Sequence, residues 1–269
     1  MSTILIPTDF SNNARNAFEY GLFLLGEQHD YILFNAYEEP KSTATSMVSL
    51  KDILVEASED SLKDEKAFFV ERHPGLQITT VSEYGDPTFA VTNYAKKNEV
   101  DMIIMGTAGV TGLQKIFLGS VASAVIEKAA CPVIVVPRGY QFEPLRNVLF
   151  TADLLNAQDE ALPESLVDIV TRNKSEVTVL TVNKPNQKID AEKAEKGFTL
   201  HMAMHGFPHK FDVIESEDVQ SSIESYANDN DMQLLVTTPR RSSWFQRLLK
   251  PSVSKELAEH LQIPMFAIH

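Results

Sequence analysis

A chain of 269 residues with 43% hydrophobic and 23% charged residues is long enough and apolar enough to bury one large core or two ordinary ones, which excludes a disordered chain. Its formal net charge of −13 opposes the phosphate fields of nucleic acid and of anionic membranes, so neither is expected as a partner. No apolar run approaches the roughly 20 residues that span a bilayer, residues 1–7 lack a basic leader, and the only cysteine, Cys131, has no partner for an intrachain disulfide; a cytoplasmic protein is expected.

Residues 4–6 open the chain with a buried strand. Thr8-Asp9-Phe10-Ser11 then turns into a helix in which Ala14, Ala17, Phe18, Leu22 and Leu25 fall at helical spacing. Residues 31–36 read as a second strand, 48–72 as a long helix, and 76–81 as a third strand closed by Gly85-Asp86-Pro87. Pro87 suits the first position of a helix that continues through Phe89, Val91, Tyr94 and Ala95 toward Asn98. A fully apolar fourth strand, 102–105, leads into a glycine-rich loop, a helix over 119–129 and a fifth strand, Val133–Val136. Continuous Val, Ile and Leu strands alternating with helices predict a parallel sheet covered on both faces, a doubly wound α/β layer.

The second half replays the first. A shift of 132 lays residues 86–137 over 218–269 without a gap, with Tyr94-Ala95 over Tyr226-Ala227, Asn98 over Asn230, Ser120-Val121 over Ser252-Val253 and Pro132 over Pro264. Residues 5–9 match 149–153 at a shift of 144, so the second copy is shorter in between. Two tandem domains are predicted, residues 1–139 and 146–269, joined by a linker at 140–145 that contains Pro144 and shows no periodicity.

In the first copy the fourth strand runs into Gly106-Thr107-Ala108-Gly109, nine further residues, and Gly119-Ser120 at the start of a helix. Glycines let backbone amides approach phosphate oxygens with no Cβ in the way. The helix start adds unpaired N–H groups and the positive end of its dipole, and Ser120 adds a hydroxyl. The same residues also fit a tight turn with Ser120 as a helix cap, and spacing does not separate the two readings.

This pattern resembles the universal stress protein family, whose ATP-binding members carry Gly-x-x-Gly, nine residues and Gly-Ser or Gly-Thr. Pro7-Thr8-Asp9-Phe10-Ser11, Gly85-Asp86-Pro87 and residues 131–136 also resemble the family's first-strand turn, third-strand exit and closing strand. The resemblance implies two Rossmann-like five-stranded parallel sheets of strand order 3-2-1-4-5, paired as an intramolecular pseudo-dimer through their fifth strands; a further homodimer is compatible with it. It implies an adenine nucleotide, ATP with or without Mg²⁺, in the first copy. Asp9, in the Pro7-Thr8-Asp9 turn, would accept from the ribose or adenine, Ala36 and Met105 would border the base, and Gly106, Gly109, Gly119, Ser120 and Val121 would hold the phosphates. Ala36 stands where the family often has a bulkier residue.

The second copy departs from the pattern: Thr238, Arg241 and Pro251 replace Gly106, Gly109 and Gly119, leaving Ser252 and the strand-end Asp153. A proline supplies no N–H and side chains crowd the phosphate path, so no ATP is expected there. Arg240, Arg241, Arg247 and Lys250 cluster in that loop beside Trp244 and Phe245, either as an anion-binding patch or as a solvated loop with packed aromatics. His201 and His205 stand four apart, with His209 beyond Gly206 and Pro208, but no carboxylate or cysteine falls at a matching spacing and no metal is expected. No nucleophile elbow, Walker lysine or zinc-protease motif appears, so no catalytic residue is assigned. The expected function is a nucleotide-responsive binding or signalling module in stress response, with a slow ATP hydrolase and a nucleotide-free structural adaptor as alternatives.

Overall fold

Short runs of β-branched and apolar residues, bounded by turn residues, form the strands, and the amphipathic stretches between them form the helices. The computed structural model describes residues 1–39, 50–107, 119–151, 162–183, 185, 200–238 and 262–268. The chain divides into two compact units between Gly139 and Tyr140.

The first unit runs β1 (Thr3–Pro7), α1 (Asn12–Leu25), β2 (Asp30–Tyr37), α2 (Leu50–Arg72), β3 (Gln77–Tyr84), α3 (Pro87–Lys97), β4 (Met102–Gly106), α4 (Ser120–Lys128) and β5 (Val133–Val136). Its strands are all parallel, in the order β3-β2-β1-β4-β5. The second unit runs β6 (Asn147–Thr151), α5 (Glu164–Asn173), β7 (Glu176–Asn183), β8 (His209–Glu215), α6 (Val219–Asp229), β9 (Leu234–Thr237) and β10 (Met265–Ala267). Its order is β8-β7-β6-β9-β10, again parallel and again the doubly wound pattern expected from the sequence. Most of the stretch between β7 and β8, where the second copy is shorter, falls outside the described residues. No helix among the described residues is long and apolar enough to cross a membrane.

The helices begin and end where local chemistry dictates. Ser11 caps α1 by accepting from the Ala14 N–H, and Gly26, at φ 84°, ends it while donating to the Leu22 carbonyl at 2.8 Å. Asp86 caps α3 through the Phe89 N–H, with Pro87 in the first turn as predicted. Strand β3 reaches Tyr84, three residues past its expected end, because Ser82, Glu83 and Tyr84 pair with Asn35, Ala36 and Tyr37. An edge strand pairs on one side only, so its polar residues need not interrupt it.

Phe18 on α1 is fully buried between Tyr31 of β2 and Phe69 of α2, with ring centroids 5.2 and 4.2 Å away. Beside this cluster Arg15 of α1 grips the carboxylate of Glu65 on α2 through three contacts of 2.7, 2.8 and 3.0 Å. Glu65 is 1% exposed, so its charge is tolerable only with that partner. Cys131 is buried just before β5, and burial pushes its thiol up to about 11.

Arg15→Met should lower the unfolding free energy by about 2–3 kcal/mol, somewhat under the range for fully buried pairs because the arginine side chain is 36% exposed. Adding Glu65→Leu should recover most of that loss, as read by urea denaturation. Cys131 should label slowly with alkylating reagents at neutral pH and quickly in urea. Because its folded thiol titrates near 11 rather than the ordinary 9.0, its contribution to stability is complete below that ordinary value and is lost as pH rises between the two.

Candidate functional site

Parallel strands present their carboxyl ends on one edge, and a crevice opens where the strand order reverses. In the first unit the reversal lies between β1, whose chain continues to β2 on one side, and β4, which continues to β5 on the other. The residues singled out from the sequence fall along this edge. Pro7 ends β1 opposite Phe34, Thr8 and Asp9 follow it, and Ala36 stands near the end of β2 opposite Glu83. Met105 and Gly106 end β4 opposite Val135 and Val136, and Gly119, Ser120 and Val121 open α4. Met105 is buried, while Asp9 and Ser120 are exposed. Gly109 lies outside the described residues.

The turn after β1 is held by hydrogen bonds on every side of Thr8. Its N–H donates to the Phe34 carbonyl at 2.8 Å, its hydroxyl accepts from the Phe10 N–H at 2.9 Å, and its carbonyl accepts from Asn35 Nδ2 at 2.7 Å. Asp9 Oδ1 accepts from the Ser11 N–H at 3.1 Å. Phe10 takes the left-handed φ of 63° that swings the chain into α1.

The end of β4 and the start of α4 form the other side. Thr107 donates its N–H to Val136 and accepts at its carbonyl from the Gly119 N–H, so Thr107 and Gly119 stand side by side. The Thr107 hydroxyl is buried without a hydrogen-bond partner among the described residues. Gly119 is the N-cap of α4 with φ −54° and ψ 154°, a conformation open to any residue, and among the described residues no side chain caps the helix. By contrast, the side chains of Ser11, Asp86 and Asp218 close the starts of α1, α3 and α6. The Ser120 and Val121 amides therefore carry the positive end of a helix dipole with no side-chain cap among the described residues.

Gly106 has a different reason for being glycine. A Cβ there would lie 2.3 Å from Asn13 Nδ2, 2.9 Å from its Cγ and 3.1 Å from its backbone carbonyl oxygen. The residue thus admits α1 against the end of β4, whatever else it admits.

Four residues that sequence reasoning passed over help to build this edge: Asn13, Asn35, Ser58 and Thr107. Asn35 is buried directly after the four buried residues Tyr31, Ile32, Leu33 and Phe34 of its strand, which is a legible signal. Its partner Ser58, on α2 and 2.8 Å away, gave none.

In the second unit the counterpart of Met105 is Thr237, fully buried, with a hydroxyl that has no partner among the described residues. Thr238 follows it half-buried, while Asp153, the clustered Arg240, Arg241, Arg247 and Lys250, the aromatics Trp244 and Phe245, and Pro251 and Ser252 lie outside the described residues. A shallow groove of about 370 Å³ runs instead along α6, lined by Asp218, Ser221, Ser222, Ser225 and Tyr226 and not by the strand-end threonines. His209 Nδ1 donates to the Phe207 carbonyl, so in the neutral ring His209 Nε2 accepts from His201 Nδ1, 2.7 Å away. Those two imidazoles thus form a directed hydrogen bond.

The model of the Universal stress protein family matches residues 1–137 and again 144–269. A universal stress protein of Methanocaldococcus jannaschii is 33% identical over 141 residues, 50% of this chain and 81% of its own length. The protein YxiE of Bacillus subtilis, of the same description, is 26% identical over 49% of this chain and 97% of its own length. Among solved structures, a universal stress protein from Archaeoglobus fulgidus superposes with a TM-score of 0.75 at 19% identity, covering 99% of this chain and 96% of that one.

Gly106→Ala should destabilise the protein by about 1–3 kcal/mol through the clash with Asn13. Asn13→Ala in the same chain should restore part of that loss, since the backbone contact remains; equal stability of Gly106→Ala and the parent in thermal melts would contradict this packing role.

Proposed function

Because the chain belongs to the universal stress protein family, whose domain it carries twice, we propose that its first copy binds ATP or a related adenine nucleotide and acts as a ligand-responsive module. The observation that carries the reading is the start of α4. A glycine occupies the N-cap where its backbone conformation does not demand one, and among the described residues no side chain caps the helix and the buried Thr107 hydroxyl beside it has no partner. A polyphosphate offers acceptors to these groups, and the missing Cβ atom leaves room for it.

In this reading the Ser120 and Val121 amides and the Ser120 hydroxyl hold phosphate oxygens, together with Gly106 and Gly109 of the sequence motif. The Gly119 N–H is already given to Thr107, so this residue contributes the space left by its absent side chain. Asp9, at the opposite lip of the crevice, accepts from the ribose or base, and Ala36 and Met105 border the base. Neutral amides suit an anion on a protein of net charge −13, because they bind it without a local excess of lysine. In the second copy Thr238, Arg241 and Pro251 stand where the glycines would be, so it contributes no equivalent ATP site.

Titration calorimetry with ATP tests the reading. The parent protein should bind one ATP. Gly119→Ala, which fits its backbone conformation, should leave the melting temperature unchanged and weaken binding about tenfold or more; Ser120→Ala should weaken it about tenfold through loss of one hydroxyl bond to a charged group. Identical heats for the three proteins would refute the proposal.

A further inference from the structure

The turn that carries Asp9 is reached from the edge of the sheet by a chain of polar groups whose donor and acceptor order has one solution. The Thr8 carbonyl can only accept, so the Asn35 atom 2.7 Å from it is the amide nitrogen. Asn35 Oδ1 then accepts from Ser58 Oγ at 2.8 Å. Ser58 has spent its one proton on that bond, so Ser82, 2.7 Å away, must be the donor between the two serines. The bonds therefore run one way, from Ser82 on β3 through Ser58 on α2 and Asn35 on β2 to the backbone of Thr8.

Burial gives this order its force. Asn35 and Ser58 are 7% and 5% exposed, so water cannot readily replace a lost partner. Without the Ser58 proton, Asn35 Oδ1 is left unsatisfied, and the flipped amide would set an oxygen against the Thr8 carbonyl. Either way the hold on Thr8 from the β2 side weakens. The phosphate end, built from β4, Thr107 and α4, shares none of these bonds.

We propose that Asn35 and Ser58 are positioning residues for the nucleoside half of the site: by fixing the Thr8 carbonyl they fix the Asp9 turn, and recognition of ribose and base depends on α2. The inference rests on the nucleotide reading of the first copy and adds that its two ends are held by separate bonding systems.

Calorimetry with adenosine, tripolyphosphate and ATP, each against the full-length parent, Ser58→Ala, Ser58→Thr and Ser82→Ala, separates the ends. Ser58→Ala should weaken adenosine and ATP about 3- to 10-fold, the worth of one buried hydrogen bond, and leave tripolyphosphate unchanged. Ser58→Thr, which keeps the hydroxyl, should recover the parent affinity, and Ser82→Ala should show a smaller loss because Asn35 keeps its donor. Hydrogen exchange should quicken in Ser58→Ala at the Phe10 and Ser11 amides and stay constant in β5. Equal losses for adenosine and tripolyphosphate, or ATP binding untouched with unchanged exchange at the turn, would overturn this inference alone. A parent protein that binds no ATP would overturn the nucleotide reading and this inference with it.

Discussion

Helix α1 lies against β4 at a distance that side chains normally forbid, and the geometry of the first copy follows from that approach. A Cβ on Gly21 would meet Ile104 Cδ1 at 2.9 Å, and a Cβ on Gly106 would meet Asn13 Nδ2 at 2.3 Å. One glycine on the helix and one on the strand remove the two atoms that would hold them apart. The consequence is felt at the first turn of α1: Ser11, its cap, follows directly on the Thr8–Asp9 turn. Because β1 pairs directly with β4, the turn after β1 stands beside the end of β4, and the two glycines let α1 pack closely against that end of the switch point.

At that crevice the described groups include the exposed Asp9 on one side and the Ser120 and Val121 amides on the other. Its two lips differ in how they are held. The lip after β1 is braced by side-chain hydrogen bonds from β2 and, through Asn35, from α2 and β3. The lip at α4 is held by backbone bonds from Thr107 to Val136 and from Gly119 to Thr107, and its amides carry no side-chain cap among the described residues. In the proposed reading, the braced turn on one lip meets the nucleoside and the α4 amides on the other meet the phosphates.

The two copies keep the same frame with different residues at its carboxyl edge. Both keep five parallel strands in the same order, because continuous apolar runs buried on both faces suffice for that. In the second copy the strand equivalent to β4 ends in threonines, and Thr237 is wholly buried where the first copy has Met105. The sheet tolerates such changes at its carboxyl edge, since loops leaving that edge contribute little to the core.

Strand periodicity, the helix starts after Ser11 and at Pro87, the internal repeat and the spacing of Gly106, Gly109, Gly119 and Ser120 were all legible in the chain, because each is a local property or a match in register. Where reading fell short, the cause was contact between residues remote in sequence. Ser82 and Glu83 looked too polar for a strand until β2 paired with them. Gly106 was legible as a glycine that admits a ligand, whereas its neighbour in space is Asn13. Ser58, one of several polar residues along a long helix, gave no sign of its bond to Asn35. The amino-acid sequence by itself determined the repeated α/β frame and which copy keeps the glycine loop; only the tertiary structure decided which side chain braces which lip, because a hydrogen bond between distant segments has no signature until packing brings donor and acceptor together.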